Sequence, residues 1–248
     1  MRPANARPKV LCVAFDGIVA HTEDIMLKAV RAACEPFRLT VDSDDLALGL
    51  PVHVLLHTLA HEQYAEVTPP EIERAKVIFE TRYASGIRER GSSLLDAQIL
   101  ALVKAFRTQL PQTDVVLVSS HIQDLAATAT ALGIAMSFNA IVGAPGKSGA
   151  GVYARAAAKF FAQAADCIGI SRHPYDVTCM HEIRMCAVGI RSDVRSSELL
   201  GSAGAWRVFI SPQDMSIFKL VDVFRSGPPT HHVRATKMPK FRVEKENP

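Results

Sequence analysis

Short apolar runs that end at polar or small residues recur at Val10–Phe15, Asp114–Val118, Phe138–Val142, Cys167–Ile170, Ala187–Ile190 and Arg207–Ile210. Runs of this length predict buried strands. Between them, Ala- and Leu-rich stretches with helical spacing predict helices over Ala97–Leu110, Ile122–Leu132, Gly151–Ala164 and Val177–Met185. Repeated alternation of the two predicts an α/β fold, a doubly wound, Rossmann-like parallel sheet covered on both faces. Ligands of such sheets bind at the carboxyl ends of the strands. Residues 24–91 break the alternation with an almost wholly helical pattern, in which Pro51, Pro69 and Pro70 are helix-start or turn signals. The expected organisation is a core of residues 10–23 and 92–226 with a helical cap inserted at 24–91, flanked by a basic arm (1–9) and a basic tail (227–248).

Composition narrows the class. The 248 residues are 48% hydrophobic and 21% charged with a net charge of +3, which excludes collagen-like and disordered chains. No apolar run of about 18 residues is present, so a membrane-spanning helix is not expected. The positive charge belongs to the two ends, where Arg2, Arg7 and Lys9 face no acid and five basic residues after Gly227 outnumber Glu244 and Glu246. Cys12, Cys34, Cys167, Cys179 and Cys186 contain no Cys-x-x-Cys pair and are odd in number. This argues against a disulfide framework or a zinc site and for buried core thiols in a reducing, intracellular compartment.

The first strand and its exit, Lys9-Val-Leu-Cys-Val-Ala-Phe-Asp-Gly-Ile-Val-Ala-His-Thr-Glu23, resembles the opening of the haloacid dehalogenase-like phosphatase superfamily. That family reads apolar strand, Asp-x-Asp-Gly-Thr, an apolar pair and often Asp-Thr-Glu. Three later landmarks resemble the family in order. Val115-Val-Leu-Val-Ser119 is similar to its strand ending in Ser or Thr, Gly146-Lys147 with Tyr153 to its lysine loop, and Cys167-Ile-Gly-Ile-Ser171 leading to Asp176 to its last acidic motif. Gly49-Leu-Pro51 is similar to the helical-cap branch that contains phosphoglycolate phosphatase and β-phosphoglucomutase.

The departures from that pattern bear on chemistry. In the family the first Asp is the nucleophile and the second the acid/base partner, whereas this chain keeps one. Without a gap, Asp16-Gly17 matches the second Asp and Ala14 stands at the nucleophile position. With a two-residue deletion Asp16 becomes the nucleophile and the acid/base Asp is missing. The ungapped reading is preferred because the turn is tight. In the last motif Ile170 stands where the resemblance implies a magnesium ligand, with two extra residues before Asp176. Magnesium needs oxygen ligands that these side chains lack, so no cofactor is expected unless the phosphatase reading holds.

What survives is a vestigial site of Asp16, Ser119, Lys147 and Asp176, with Ala14 and Ile170 as lost positions. Three of the four also have an ordinary structural explanation: a strand-end hydroxyl for Ser119, a solvated lysine for Lys147, a helix N-cap for Asp176. Gly143-Ala-Pro-Gly146-Lys147-Ser148 suggests a P-loop, but Ile141 stands where its first Gly belongs, so no nucleotide is expected. His53, His57 and His61 share a helix face, which is expected to be polar surface and not a metal site. The expected function is that of a catalytically inactive subunit binding a protein partner in a larger assembly. Arg234, Lys237, Lys240, Arg242 and Lys245 would dock the tail, with Met238 and Phe241 as anchors; RNA contact is a minor option because no aromatic stacking motif is present. The alternatives are a hydrolase, phosphatase or dehalogenase-like, with Asp16 as nucleophile, and a phosphometabolite-sensing pocket.

Overall fold

The computed structural model describes residues 2–3, 5–143, 149–192 and 194–228. Among these, one parallel sheet is built from β1 (Val10–Ala14), β2 (Asp114–Val118), β3 (Ala140–Val142), β4 (Cys167–Ser171), β5 (Cys186–Ile190) and β6 (Arg207–Phe209), in the order β3-β2-β1-β4-β5-β6. The central strands β1, β4 and β5 are buried along their whole length. Burial on both faces explains why they read as continuous apolar runs, without the alternation of a half-exposed strand.

Strand direction splits the core. Leu11, Val13, Val115, Leu117, Ile168 and Ile170 face one layer, and Val10, Cys12, Val116, Val118 and Ala187 face the other. The first layer contains α4 (Ala97–Gln109), α5 (Leu125–Ala131) and α9 (Ile217–Ser226), and the second α6 (Gly149–Ala158), α7 (Pro174–Glu182) and α8 (Val194–Ser202). The sequence pattern leaves α8 and α9 unassigned. All five cysteines are buried and outside any disulfide, and no helix of the described residues is long and apolar enough to cross a membrane.

Between β1 and α4 the chain forms α1 (Glu23–Cys34), α2 (Val52–Glu62) and α3 (Pro69–Arg90). Thr68 and Glu71 form a reciprocal cap at the start of α3, so the two prolines fall in the first turn, where no N–H is missed. The expectation of an almost wholly helical segment is corrected at residues 38–51. There Arg38 adopts φ 56° and ends the first helical run, and a long turn follows, closing at Gly49 with φ 66°.

Three helix boundaries also differ from the pattern. Ile122 is not helical because its N–H is bonded to Ser119 Oγ, and α5 starts after Asp124, whose carboxylate caps Ala127 N–H. Helix α6 ends six residues early, before a turn that places Phe161 at φ 52°. Helix α7 begins with Pro174, a residue suited to a first turn.

The basic N-terminal residues pack on the core. The Arg2 guanidinium lies 3.7 Å from the Phe224 ring centroid and 5.3 Å from that of Trp206, and donates to the carbonyls of Phe224 and Ala165. Lys9 pairs with Asp166 at 3.0 Å.

Candidate functional site

The carboxyl ends of β1, β2 and β4 meet at one place. Val10 to Ala14 run in register with Asp114 to Val118, so Ala14 lies opposite the residue preceding Ser119. The chain then turns tightly: Gly17 takes φ 71°, Gly17 N–H donates to the Ala20 carbonyl at 2.9 Å and Ala20 N–H to the Phe15 carbonyl at 2.9 Å. This turn carries Asp16 back over the sheet. Ser119 Oγ donates to Asp16 Oδ2 at 2.6 Å, and the Tyr83 hydroxyl, from α3, donates to Oδ1. Both carboxylate oxygens thus have partners, and Asp16 is 2% exposed. Burial, then the neighbouring Asp16 charge, pushes the Tyr83 hydroxyl well above its ordinary pKa, so the phenol stays a proton donor.

A parallel arrangement follows β4. Ser171 Oγ donates to Asp176 Oδ2 at 2.8 Å and accepts the His173 N–H at 3.1 Å, while Ser120 Oγ reaches Asp176 Oδ1 at 3.2 Å. Ser119 Oγ is used in the same way, accepting the N–H groups of His121 and Ile122 at 3.1 Å. Each strand therefore ends in Ser-x-His, with the serine tying its own turn and holding a buried Asp. Asp176 is the third residue of α7, not its N-cap; His173 holds the N-cap position. Tyr153 of α6 also bonds the Asp176 carboxylate, and burial with that neighbouring charge raises its pKa.

The structure brings Asp16 and Ser119 into contact and places Asp176 beside Ser120. Lys147 lies outside the described residues, as do Arg234, Lys237, Lys240, Arg242 and Lys245. Ile170 is fully buried within β4, paired with Val13 and packed in the core. The side chain that emerges at the end of β4 is Arg172. Its Cδ lies 3.4 Å from where a Cβ on Gly17 would stand, and its guanidinium pairs with Glu23 at 2.8 Å. A fixed cation thus stands at the end of β4.

This donor set does not fit magnesium. The oxygens of Asp16 are engaged by two hydroxyls, and the end of β4 presents a guanidinium, which repels a divalent cation and offers no lone pair. Among the described residues no group of three or more His, Cys, Asp or Glu is placed to hold a metal ion.

Sequence reasoning missed Tyr83, Arg172, His121 and His173. The Ser-x-His repeat after two apolar runs is visible in the chain, at Ser119-Ser-His121 and Ser171-Arg-His173. Tyr83 left no signal beyond its place in the apolar stripe of Ile72, Phe79 and Ile87.

No protein-family model and no curated protein sequence matches the chain. Solved structures do. A β-phosphoglucomutase from Clostridium difficile superposes with a TM-score of 0.73 at 15% identity, covering 88% of this chain and 98% of that one. A predicted phosphoglycolate phosphatase from Haemophilus somnus gives 0.64 at 15% identity over 87% and 99%. A haloacid dehalogenase-like hydrolase from Streptococcus pneumoniae gives 0.66 at 17% identity over 84% and 96%. The chain has the Rossmann-like α/β fold, helical cap included, of haloacid dehalogenase-like hydrolases.

Proposed function

We propose that this chain is a catalytically inactive haloacid dehalogenase-like protein that serves as a binding or structural subunit of a larger assembly. The observation that carries the reading is the engagement of Asp16, the one carboxylate at the end of β1, by Ser119 and Tyr83 on its two oxygens. A nucleophilic carboxylate needs an exposed lone pair directed at the reacting atom, and here Tyr83 covers it. Ala14 contributes only a methyl group at the strand end, Ile170 is apolar and buried, and Arg172 adds a cation at the end of β4. Positions 14 and 170, which the resemblance assigns to one metal-dependent step, both carry apolar side chains, and this supports loss of the step as a whole.

Catalysis is tested with purified protein, magnesium and a panel of sugar phosphates, phosphoglycolate and p-nitrophenyl phosphate. The expected rate equals that of matched Asp16→Asn and Lys147→Ala controls. Turnover on the order of 1 per second, absent from Asp16→Asn, would overturn the reading.

The binding role rests on the basic tail, in which Arg234, Lys237, Lys240, Arg242 and Lys245 alternate with apolar residues. An acidic protein surface is its complement. Deleting residues 227–248 is expected to leave the fold intact and reduce recovery of native partners, most at low salt, where charge attraction reaches furthest. Unchanged recovery would remove the tail from the interface.

A further inference from the structure

His121 and His173 meet edge to face at the carboxyl ends of β2 and β4, with ring centroids 5.9 Å apart and interplanar angle 85°. Each is 7% exposed. Among the described residues, His121 Nε2 and His173 Nδ1 are buried without a hydrogen-bond partner. Buried polar atoms are normally paired, so this pair sits at a cost the rest of the fold sustains.

The surface against which His173 packs is the helical insertion. A Cβ on Gly49 would lie 2.3 Å from His173 Cβ and 2.4 Å from Cγ, so only glycine allows the loop to rest on the imidazole. One residue earlier, the Leu48 carbonyl accepts the Tyr175 N–H at 2.9 Å. His173 is thus the point where the loop before α2 is seated on the core.

We propose that His173 is a proton-sensitive latch: neutral, it seats the loop of Leu48 and Gly49, from the helical insertion, on the core at the carboxyl end of β4, and protonated, it releases that loop. The charged and titratable groups facing it are Asp176 on its own helix, His121 from the β2–α5 loop, Asp16 from the β1 exit and Glu23 from α1. Leu48 and Gly49, from the loop it holds, contribute no charge. Burial is the strongest influence and lowers the His173 pKa, outweighing the attraction of Asp176. The released, hydrated imidazole regains a pKa of about 6.5, so the open form binds the proton more tightly. The seated form is therefore fully favoured above about pH 6.5 and loses ground as pH falls from there toward the lower seated-state pKa. The latch acts on the seating of the insertion and is independent of whether any substrate is turned over.

Hydrogen–deuterium exchange of the full chain, corrected for intrinsic rates, tests this between about pH 7.5 and pH 5.5. Peptides covering residues 46–52 and the first turn of α7 are expected to lose protection by up to about tenfold per pH unit below pH 6.5, while β2 and β4 peptides hold theirs. His173→Gln is expected to abolish the pH dependence. Gly49→Ala, which leaves the titrating group in place, is expected to unseat the loop at pH 7.5 as well. Unchanged wild-type protection at pH 5.5, equal loss in the strand peptides, a pH response that survives His173→Gln, or a seated loop in Gly49→Ala would each overturn the proposal.

Discussion

The Tyr83 hydroxyl on α3 donates its proton to the Asp16 carboxylate beyond β1, across 67 residues of sequence. Tyr83 is 2% exposed and stacks on Phe79, with centroids 5.3 Å apart. The contact therefore couples the packing of the helical insertion to the one carboxylate at the end of β1. Insertion and core share a single continuous apolar cluster that runs from Leu11 and Val13 through Ile25 and Met26 to Phe79 and Ile87.

Tyr83→Phe keeps the ring and removes the donor, leaving a buried carboxylate short of one hydrogen bond. A loss of about 1–3 kcal/mol is expected from urea unfolding, together with faster exchange in α3 peptides. Unchanged stability would show that the hydroxyl does not hold Asp16.

Magnesium at millimolar concentration is expected to leave the thermal midpoint unchanged, because Arg172 stands at the end of β4. A site filled at a hundred times its dissociation constant would add about 2.7 kcal/mol. That shift is easily seen by calorimetry, and its appearance would contradict the donor-set argument.

The cysteines are expected to resist thiol reagents in the native state and to react rapidly in denaturant. Burial pushes the Cys167 and Cys186 thiols up to about 12 and Cys34 up to about 11, so little thiolate is present near neutrality. Fast native labelling at any of these three would mean the packing around it opens readily.

Arg2→Ala removes a guanidinium held against Phe224 and Trp206 together with its hydrogen bonds to two carbonyls. A cost of about 1–2 kcal/mol is expected. Trp206 is the only tryptophan in the chain, so its emission reports directly on loss of the contact.

The apolar runs by themselves determined the order of strands and most helices, because a strand buried on both faces must be apolar throughout and a helix covering it must repeat near 3.6 residues. Thus β2 was readable in full, and β1 to within one residue, since Phe15 already belongs to the turn. Asp16 and Ser119 were legible as site residues for the same reason: each follows the end of a strand, and parallel neighbours bring such ends together. What only the tertiary structure decided is which groups answer them. Ser119 Oγ turned back on its own loop and delayed α5, a local hydrogen bond that no periodicity encodes. The register of β4 against β1 put Ile170 inside the sheet and left Arg172 just beyond its end, so the strand exit carries a cation. Tyr83 and Gly49 reach Asp16 and His173 from the helical insertion, and nothing in the spacing of a helix or a turn states which distant residue it will cover. That choice belongs to packing, where shape and buried hydrogen-bond demand are satisfied between elements, not along them.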